Sequence, residues 1–198
     1  MRVCVYGSAS DNIEEKYKQK TFELGKELAK RGHCLIFGAG SEGLMGAAAR
    51  GFKAGGGHVH GVIPKFFEEG GYEAIFYEAD EITYTQTMAE RKATMEDGCQ
   101  AFIIVPGGIG TFEEFFQVFT LKQLGRHEKA IVLFNSHGYF NHLNALMEDA
   151  IEQGFIHQEC RKLAVVLDTI EEVVDYIENY STDDINWSML KKNNPNER

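Results

Sequence analysis

The segment Pro106-Gly107-Gly108-Ile109-Gly110-Thr111 has the residue types needed to hold a phosphate. It follows the apolar run Ala101 to Val105 and opens a helical stretch, so backbone N–H groups and the positive end of a helix converge on it. The glycines at 107, 108 and 110 allow close backbone approach, and Thr111 adds a hydroxyl. No Gly-Lys-Ser/Thr follows, so this is not a Walker loop. Glu113 and Glu114 lie just inside the same helix. One acid there complements the helix dipole by ~0.3–1 kcal/mol. Two acids beside an anion site repel the ligand, which points to a task such as positioning water or stabilising a cation. Arg91 and Lys92 fall in the first turns of the preceding helix, where the dipole disfavours cations. A ligand anion or a facing carboxylate accounts for them.

These groups need a scaffold, and the chain alternates short apolar strands with amphipathic helices. Arg2 to Tyr6, Cys34 to Phe37, Val59 to Ile63, Ala101 to Val105, Ile131 to Phe134 and Leu163 to Leu167 read as strands, with a further short one near Glu81 to Thr83. Helices are predicted over Ile13 to Arg31, Leu44 to Ala54, Thr87 to Asp97, the stretch after the glycine loop to Leu124, Tyr139 to Glu152, and from the N-cap Thr169 to Asn179. Lys65 to Tyr84 is expected to be mostly loop. The pattern predicts an α/β fold: a doubly wound, Rossmann-like three-layer sandwich with a parallel sheet of about seven strands. Residues 1–180 read as one nucleotide-binding catalytic domain, and 181–198 as a polar C-terminal tail. In such a sheet ligands bind beyond the carboxyl ends of the strands. The helix carrying Arg91 starts at that edge, so Arg91 and Glu114 belong to one crevice.

Two further small-residue loops reach the same edge, at Gly7 to Ser10 and Gly38 to Gly43. The second spells GAGSEG, a GxGxxG match that raises dinucleotide binding. Against that, the following strand ends Val62-Ile63-Pro64-Lys65 with no acid for the ribose, and the motif follows the second strand rather than the first. One wall of a mononucleotide site is the preferred reading, with glycines serving only helix–strand packing as the alternative.

Composition narrows the class. The 198 residues are 43% hydrophobic and 25% charged, ordinary for a globular domain. A net charge of −10 argues against a nucleic-acid partner, which needs a basic stripe. No run reaches the ~18 apolar residues of a membrane span, so no membrane role is expected. The four cysteines, at 4, 34, 99 and 160, form no CxxC pair and suit reduced thiols in the cytoplasm. His58 and His60 alternate on one strand face without an acid or cysteine at ligand spacing, and no metal site is expected.

MAERK at Met88 to Lys92 followed by PGGIGTFEE at Pro106 to Glu114 resembles the paired signature of the Lonely Guy (LOG) family of cytokinin riboside 5′-monophosphate phosphoribohydrolases, often mislabelled lysine decarboxylases. The likeness extends through GSAS, RGHCLIFGAGSEGLMG, VIPK and LKQLGRHEKAIVLFNSHGYF, about residues 3 to 167. It implies hydrolysis of the N-glycosidic bond of an adenine-type nucleoside 5′-monophosphate, releasing free base and ribose 5-phosphate. The family's catalytic pair falls on Arg91 and Glu114. Its nucleotide contacts fall on Lys92, on Gly108, Ile109, Gly110, Thr111, Phe112 and Glu113, and on Thr120. Ser8, Gly40 and Gly107 are added from the neighbouring loops. On this reading Lys92 and the loop amides anchor the phosphate, and Glu114 stabilises an oxocarbenium-like state and orients water. An acid that the family places about seven residues after the proline of VIPK has no match beside Gly70 and Gly71; Glu68, Glu69 and Glu73 are nearby substitutes. No cofactor is expected, and the resemblance implies at least a homodimer. The aromatic series Phe112, Phe115, Phe116 and Phe119 serves either the sheet core or that interface.

Two rivals follow. Molybdenum-cofactor carriers share the fold type and a related glycine loop, and bind without cleaving. A lysine decarboxylase needs a Schiff-base lysine for pyridoxal phosphate, and no lysine here is marked as one.

Overall fold

The computed structural model describes residues 1–70 and 74–190, apart from the side chain of Glu69. Seven strands form one parallel sheet: β1 (Arg2–Tyr6), β2 (Cys34–Phe37), β3 (Val59–Pro64), β4 (Glu81–Thr85), β5 (Ala101–Ile104), β6 (Ala130–Phe134) and β7 (Val165–Leu167). Their order is β4-β3-β2-β1-β5-β6-β7, and every pairing is parallel. The predicted doubly wound α/β sandwich is the observed fold.

Strand alternation sends side chains into two cores. From β5, Ala101, Ile103 and Val105 enter one, and Phe102 and Ile104 the other. The first core receives α1 (Glu15–Lys30), α2 (Gly43–Ala54) and α7 (Ile170–Glu178) through Leu24, Leu28, Phe52, Val173 and Ile177. The second receives α4 (Met88–Gly98), α5 (Ile109–Gln123) and α6 (Asn141–Glu152) through Met95, Phe115, Phe119 and Met147. Fully burying one such side chain is worth ~1.5–3 kcal/mol. Phe115 and Phe119 are thus core residues, while Phe116 stays 39% exposed. Helix α1 stops at Gly32, whose φ of 79° supplies the left-handed turn expected of a C-terminal cap. Thr169 and Glu172 close a capping box at the start of α7.

Connections leave β1 toward β2 and leave β5 toward β6, in opposite directions across the sheet. Their loops therefore diverge at the carboxyl edge and open a crevice between adjacent strands. Hydrogen bonds from Val105 N to the Tyr6 carbonyl (2.9 Å) and from Ser8 N to the Pro106 carbonyl (3.1 Å) continue the β1–β5 pairing into its floor.

One segment differs from the sequence reading, and a second is filled in by the structure. Lys65–Gly70 forms a short helix, α3, where a loop was expected, because six residues are too few to show a helical period. In the polar C-terminal segment, Ile185 and Leu190 are buried in the second core and Trp187 packs against it, with α8 (Trp187–Leu190) at its end. Residues 191–198 and Glu73 lie outside the described residues.

Candidate active site

The loop at 106–111 divides its glycines by task. A Cβ on Gly107 would stand 2.1 Å from Thr111 Oγ1, because the threonine folds back over it. Cβ atoms on Gly108 or Gly110 would meet nothing within 4 Å. Gly108 is the N-cap of α5 with φ −94° and no side-chain cap. Glycine at 108 and 110 is therefore demanded by neither backbone conformation nor packing; it leaves open space over the first turn of α5. Tyr139 props the loop from below, its hydroxyl donating to the Gly107 carbonyl at 2.5 Å.

Two cavities flank this turn and share Ser8 and Gly108. One, of about 300 Å³, is lined by Ser8, Phe67, Arg91, Gly110, Thr111 and Glu114, among others. The structure thus places Arg91 from α4 and Glu114 from α5 in the same cavity, as the crossover argument required. The other, of about 480 Å³, lies toward α1 and is walled by Ile13, Tyr17, Leu44, Pro106, Gly107 and Tyr139.

Arg91 is buried, and its guanidinium is held by the sheet. Nε donates to the Val62 carbonyl at 3.1 Å and Nη2 to the Gly38 carbonyl at 2.7 Å. Phe67 covers it, with the guanidinium carbon 5.5 Å from the ring centroid. A Cβ on Gly38 would fall 1.9 Å from Nη2, so this glycine exists to admit the arginine. The apparent dinucleotide fingerprint accordingly has another use. Gly43 turns with φ 57° against the Ser8 and Ser10 carbonyls. The Ser8 carbonyl then accepts from Leu44 N (2.8 Å) and Met45 N (3.3 Å), taking up the first amides of α2. The end of α2 is capped by the protein itself, whereas the end of α5 faces the cavities. Gly40 is buried and bridges Ile75, lining neither cavity.

Lys92 lines neither cavity. Its ammonium sits between Glu113 Oε1 and Gln117 Oε1, 2.6 Å from each. Neighbouring helical residues point ~100° apart, so when Arg91 turns to the cavity Lys92 turns to α5. Glu113 is taken by the same pair. Thr120 lies further along α5 in a separate groove with Phe116, Gln123, Met147, Phe155 and Leu190. Ile109 is 84% exposed, and Phe112 packs on the second core. Glu68 accepts from Tyr77 (3.0 Å) and Tyr84 (3.4 Å) at the edge of β4.

The sequence reading missed three residues here. Phe67 rides on the unforeseen α3. Tyr139 gives no local signal for reaching Gly107. Tyr6 ends β1 with its hydroxyl buried, and burial first, with the fields of Cys4 and Glu114 added, pushes its acidity far below ordinary phenol strength. It therefore stays protonated beside Glu114. Among the described residues, no group of three or more His, Cys, Asp or Glu side chains could hold a metal ion, and no helix is long and apolar enough to cross a membrane.

Sequence comparisons with known proteins point to one family. A family model described as "Possible lysine decarboxylase" matches residues 45–177. The probable cytokinin riboside 5′-monophosphate phosphoribohydrolase LOGL3 of Oryza sativa subsp. japonica is 40% identical, over 90% of this chain and 84% of its own. The cytokinin riboside 5′-monophosphate phosphoribohydrolase LOG4 of Arabidopsis thaliana is 38% identical over 91% and 83%. Among solved structures, the molybdenum cofactor carrier protein of Chlamydomonas reinhardtii superposes with a TM-score of 0.68, covering 89% of this chain and 95% of that one. At 22% identity that likeness concerns the fold alone.

Proposed function

Because this chain belongs to the LOG family of cytokinin riboside 5′-monophosphate phosphoribohydrolases, we propose that it hydrolyses the N-glycosidic bond of an adenine-type nucleoside 5′-monophosphate. The products are the free base and ribose 5-phosphate. The observation that carries this reading is one cavity lined together by Arg91, Glu114, Gly110 and Thr111.

The uncapped first turn of α5 receives the phosphate on its backbone amides, with the Thr111 hydroxyl beside them. Arg91, immobilised by two carbonyls, presents a fixed cation to the ribose side of the substrate. Glu114 faces the anomeric carbon. As the C1′–N bond breaks, its electron pair leaves with the base, whose nitrogen takes up a proton. The Glu114 carboxylate offsets the positive charge growing on the ribose and draws a proton from the attacking water, whose hydroxyl joins C1′. Phosphate binding away from the breaking bond supplies orientation.

The carrier reading rests on fold likeness alone and leaves the Arg91–Glu114 placement without a use. A Schiff-base decarboxylase would need a reachable lysine of lowered pKa. Among the described residues, the lysine that burial pushes down, to about 7, is Lys122, which is fully enclosed and donates to the Leu163 carbonyl away from both cavities.

Residues 1–180 serve as the catalytic unit in this proposal. Phe116 and Phe155, exposed at 39% and 82% on one groove, support a homodimer through α5 and the end of α6. Solution scattering returning a monomer mass would contradict that. Four unpaired thiols, three of them buried, suit the reducing cytoplasm.

The deciding experiment incubates the protein with AMP, N6-substituted AMP and adenosine and follows free base and ribose 5-phosphate. Base release from the monophosphates and little from adenosine is expected. No release from any purine monophosphate, or equal rates on adenosine, overturns the proposal.

A further inference from the structure

Two charged doublets, Arg91-Lys92 and Glu113-Glu114, meet around the cavity, and the fold splits each of them. Arg91 and Glu114 face the cavity. Lys92 and Glu113 face each other behind it, 2.6 Å apart. Glu113 and Gln117 lie one turn apart on the same face of α5, and the Lys92 ammonium meets both. The Gln117 amide in turn donates to the Glu96 carboxylate, one turn beyond Lys92 on α4. The Lys129 ammonium closes the far end on the Glu96 carbonyl. Lys92 is 18% exposed and Glu113 54%, so the ion pair lies at the solvent rim while the Lys92–Gln117 and Gln117–Glu96 contacts are partly buried beneath it. Burial raises the pKa of Glu96, with Lys92 and Gln117 opposing that shift.

We propose that Lys92, Glu113, Gln117 and Glu96 form a strut that fixes the rotation of the first turn of α5 about its axis, and thereby aims Glu114 at the reacting carbon. Lys92 is then a positioning residue and not a phosphate ligand. Arg91 needs no such help, since the Gly38 and Val62 carbonyls already hold it. Helix α5 does need it. Its entrance contains Gly107, Gly108 and Gly110 and no side chain caps it; Thr111 and Phe112 pack it inward, and the Lys92 bridge adds the polar tie between this turn and α4. Lys92 grips the adjacent face of that turn, and Glu114 follows Glu113 by ~100° around the helix. A misplacement of about 1 Å in such a group costs on the order of 10²-fold in rate.

The kinetic part of this inference rests on the proposed hydrolysis, so its test carries a second readout. Lys92→Met is expected to lower kcat on AMP by about 10- to 100-fold and leave KM within about two-fold. Gln117→Leu, which keeps the ion pair, should show a smaller loss of the same kind. The exchange Lys92→Glu with Glu113→Lys should recover most of the lost rate. A KM raised about ten-fold at unchanged kcat, or an exchange no better than the single variant, overturns the strut. Crystal structures of the wild type, Lys92→Met and Gln117→Leu read the geometry directly. A shift of the Glu114 carboxylate relative to Arg91 is expected in both variants, and superimposable first turns of α5 overturn the inference. Base release absent from the wild type would sink the hydrolase reading alone, leaving the crystallographic comparison to decide the strut. If Lys92→Met does not fold, Gln117→Leu decides both readouts.

Discussion

The Gly38 carbonyl accepts from Arg91 Nη2 at 2.7 Å, and the same glycine lacks the Cβ that would occupy the guanidinium's place. Gly38→Ala should therefore expel the arginine from its seat. Overpacking of this kind costs about 1–3 kcal/mol. Base release should fall by about 100-fold or more, since the fixed cation is lost. Urea unfolding and steady-state kinetics on AMP check both parts; an unchanged kcat would dissociate Arg91's seat from catalysis.

Gly110→Ala should act in the opposite sense on stability. A Cβ there meets nothing within 4 Å, and alanine in a helix is favoured over glycine by up to about 1 kcal/mol. The added methyl enters the space over the phosphate turn, so kcat/KM should drop about ten-fold or more. A thermal melt paired with kinetics would find a protein that is sturdier and slower.

Glu114→Gln keeps the shape of the side chain and removes its charge. Loss of a group that stabilises the transition state costs about 10²–10³ in kcat, with little change in KM. A wild-type rate would remove Glu114 from the mechanism.

Lys122 gives a pH signature remote from the site. Its ammonium is fully buried, 4.8 Å from the Tyr180 ring centroid, and burial pushes its pKa down to about 7 against an ordinary 10.5. From about pH 7 up to about 10.5 the unfolded chain binds the extra proton, so this residue makes stability rise with pH, by up to about 1.4 kcal/mol per unit. Below about 7 both states are charged and the penalty is constant. Lys122→Met should remove that slope, and chemical denaturation of both proteins between pH 7 and 9.5 measures it. Parallel curves would place the group outside the titrating range.

The sheet and the meeting of Arg91 with Glu114 were legible in the sequence for one reason. Apolar runs alternating with helices force parallel crossovers, and crossovers fix which helix ends share an edge. What was not legible depends on rotations about helix axes. Nothing local says that Lys92 turns to Gln117 while Arg91 turns to Gly38; the packing of α4 on α5 and the sheet decides it. Gly38 misled for a related reason, since a glycine that admits a side chain and a glycine that admits a pyrophosphate look alike in a GxGxxG string. Lys65–Gly70 was hidden by its length, and with it the contact of Phe67 on Arg91.

The central strand β1 pairs with β5, which lies about a hundred residues further along the sequence. Arg91 is seated by carbonyls on the β2 and β3 side of that junction, and Glu114 comes from the helix after β5. Folding must close this long loop before the two groups meet, a non-local step that is slow in mixed α/β chains. A sheet of β1 to β4 without β5 would hold no assembled site. The site is thus a property of the long-range β1–β5 pairing, and any state in which that pairing opens loses the shared cavity of Arg91 and Glu114 at once.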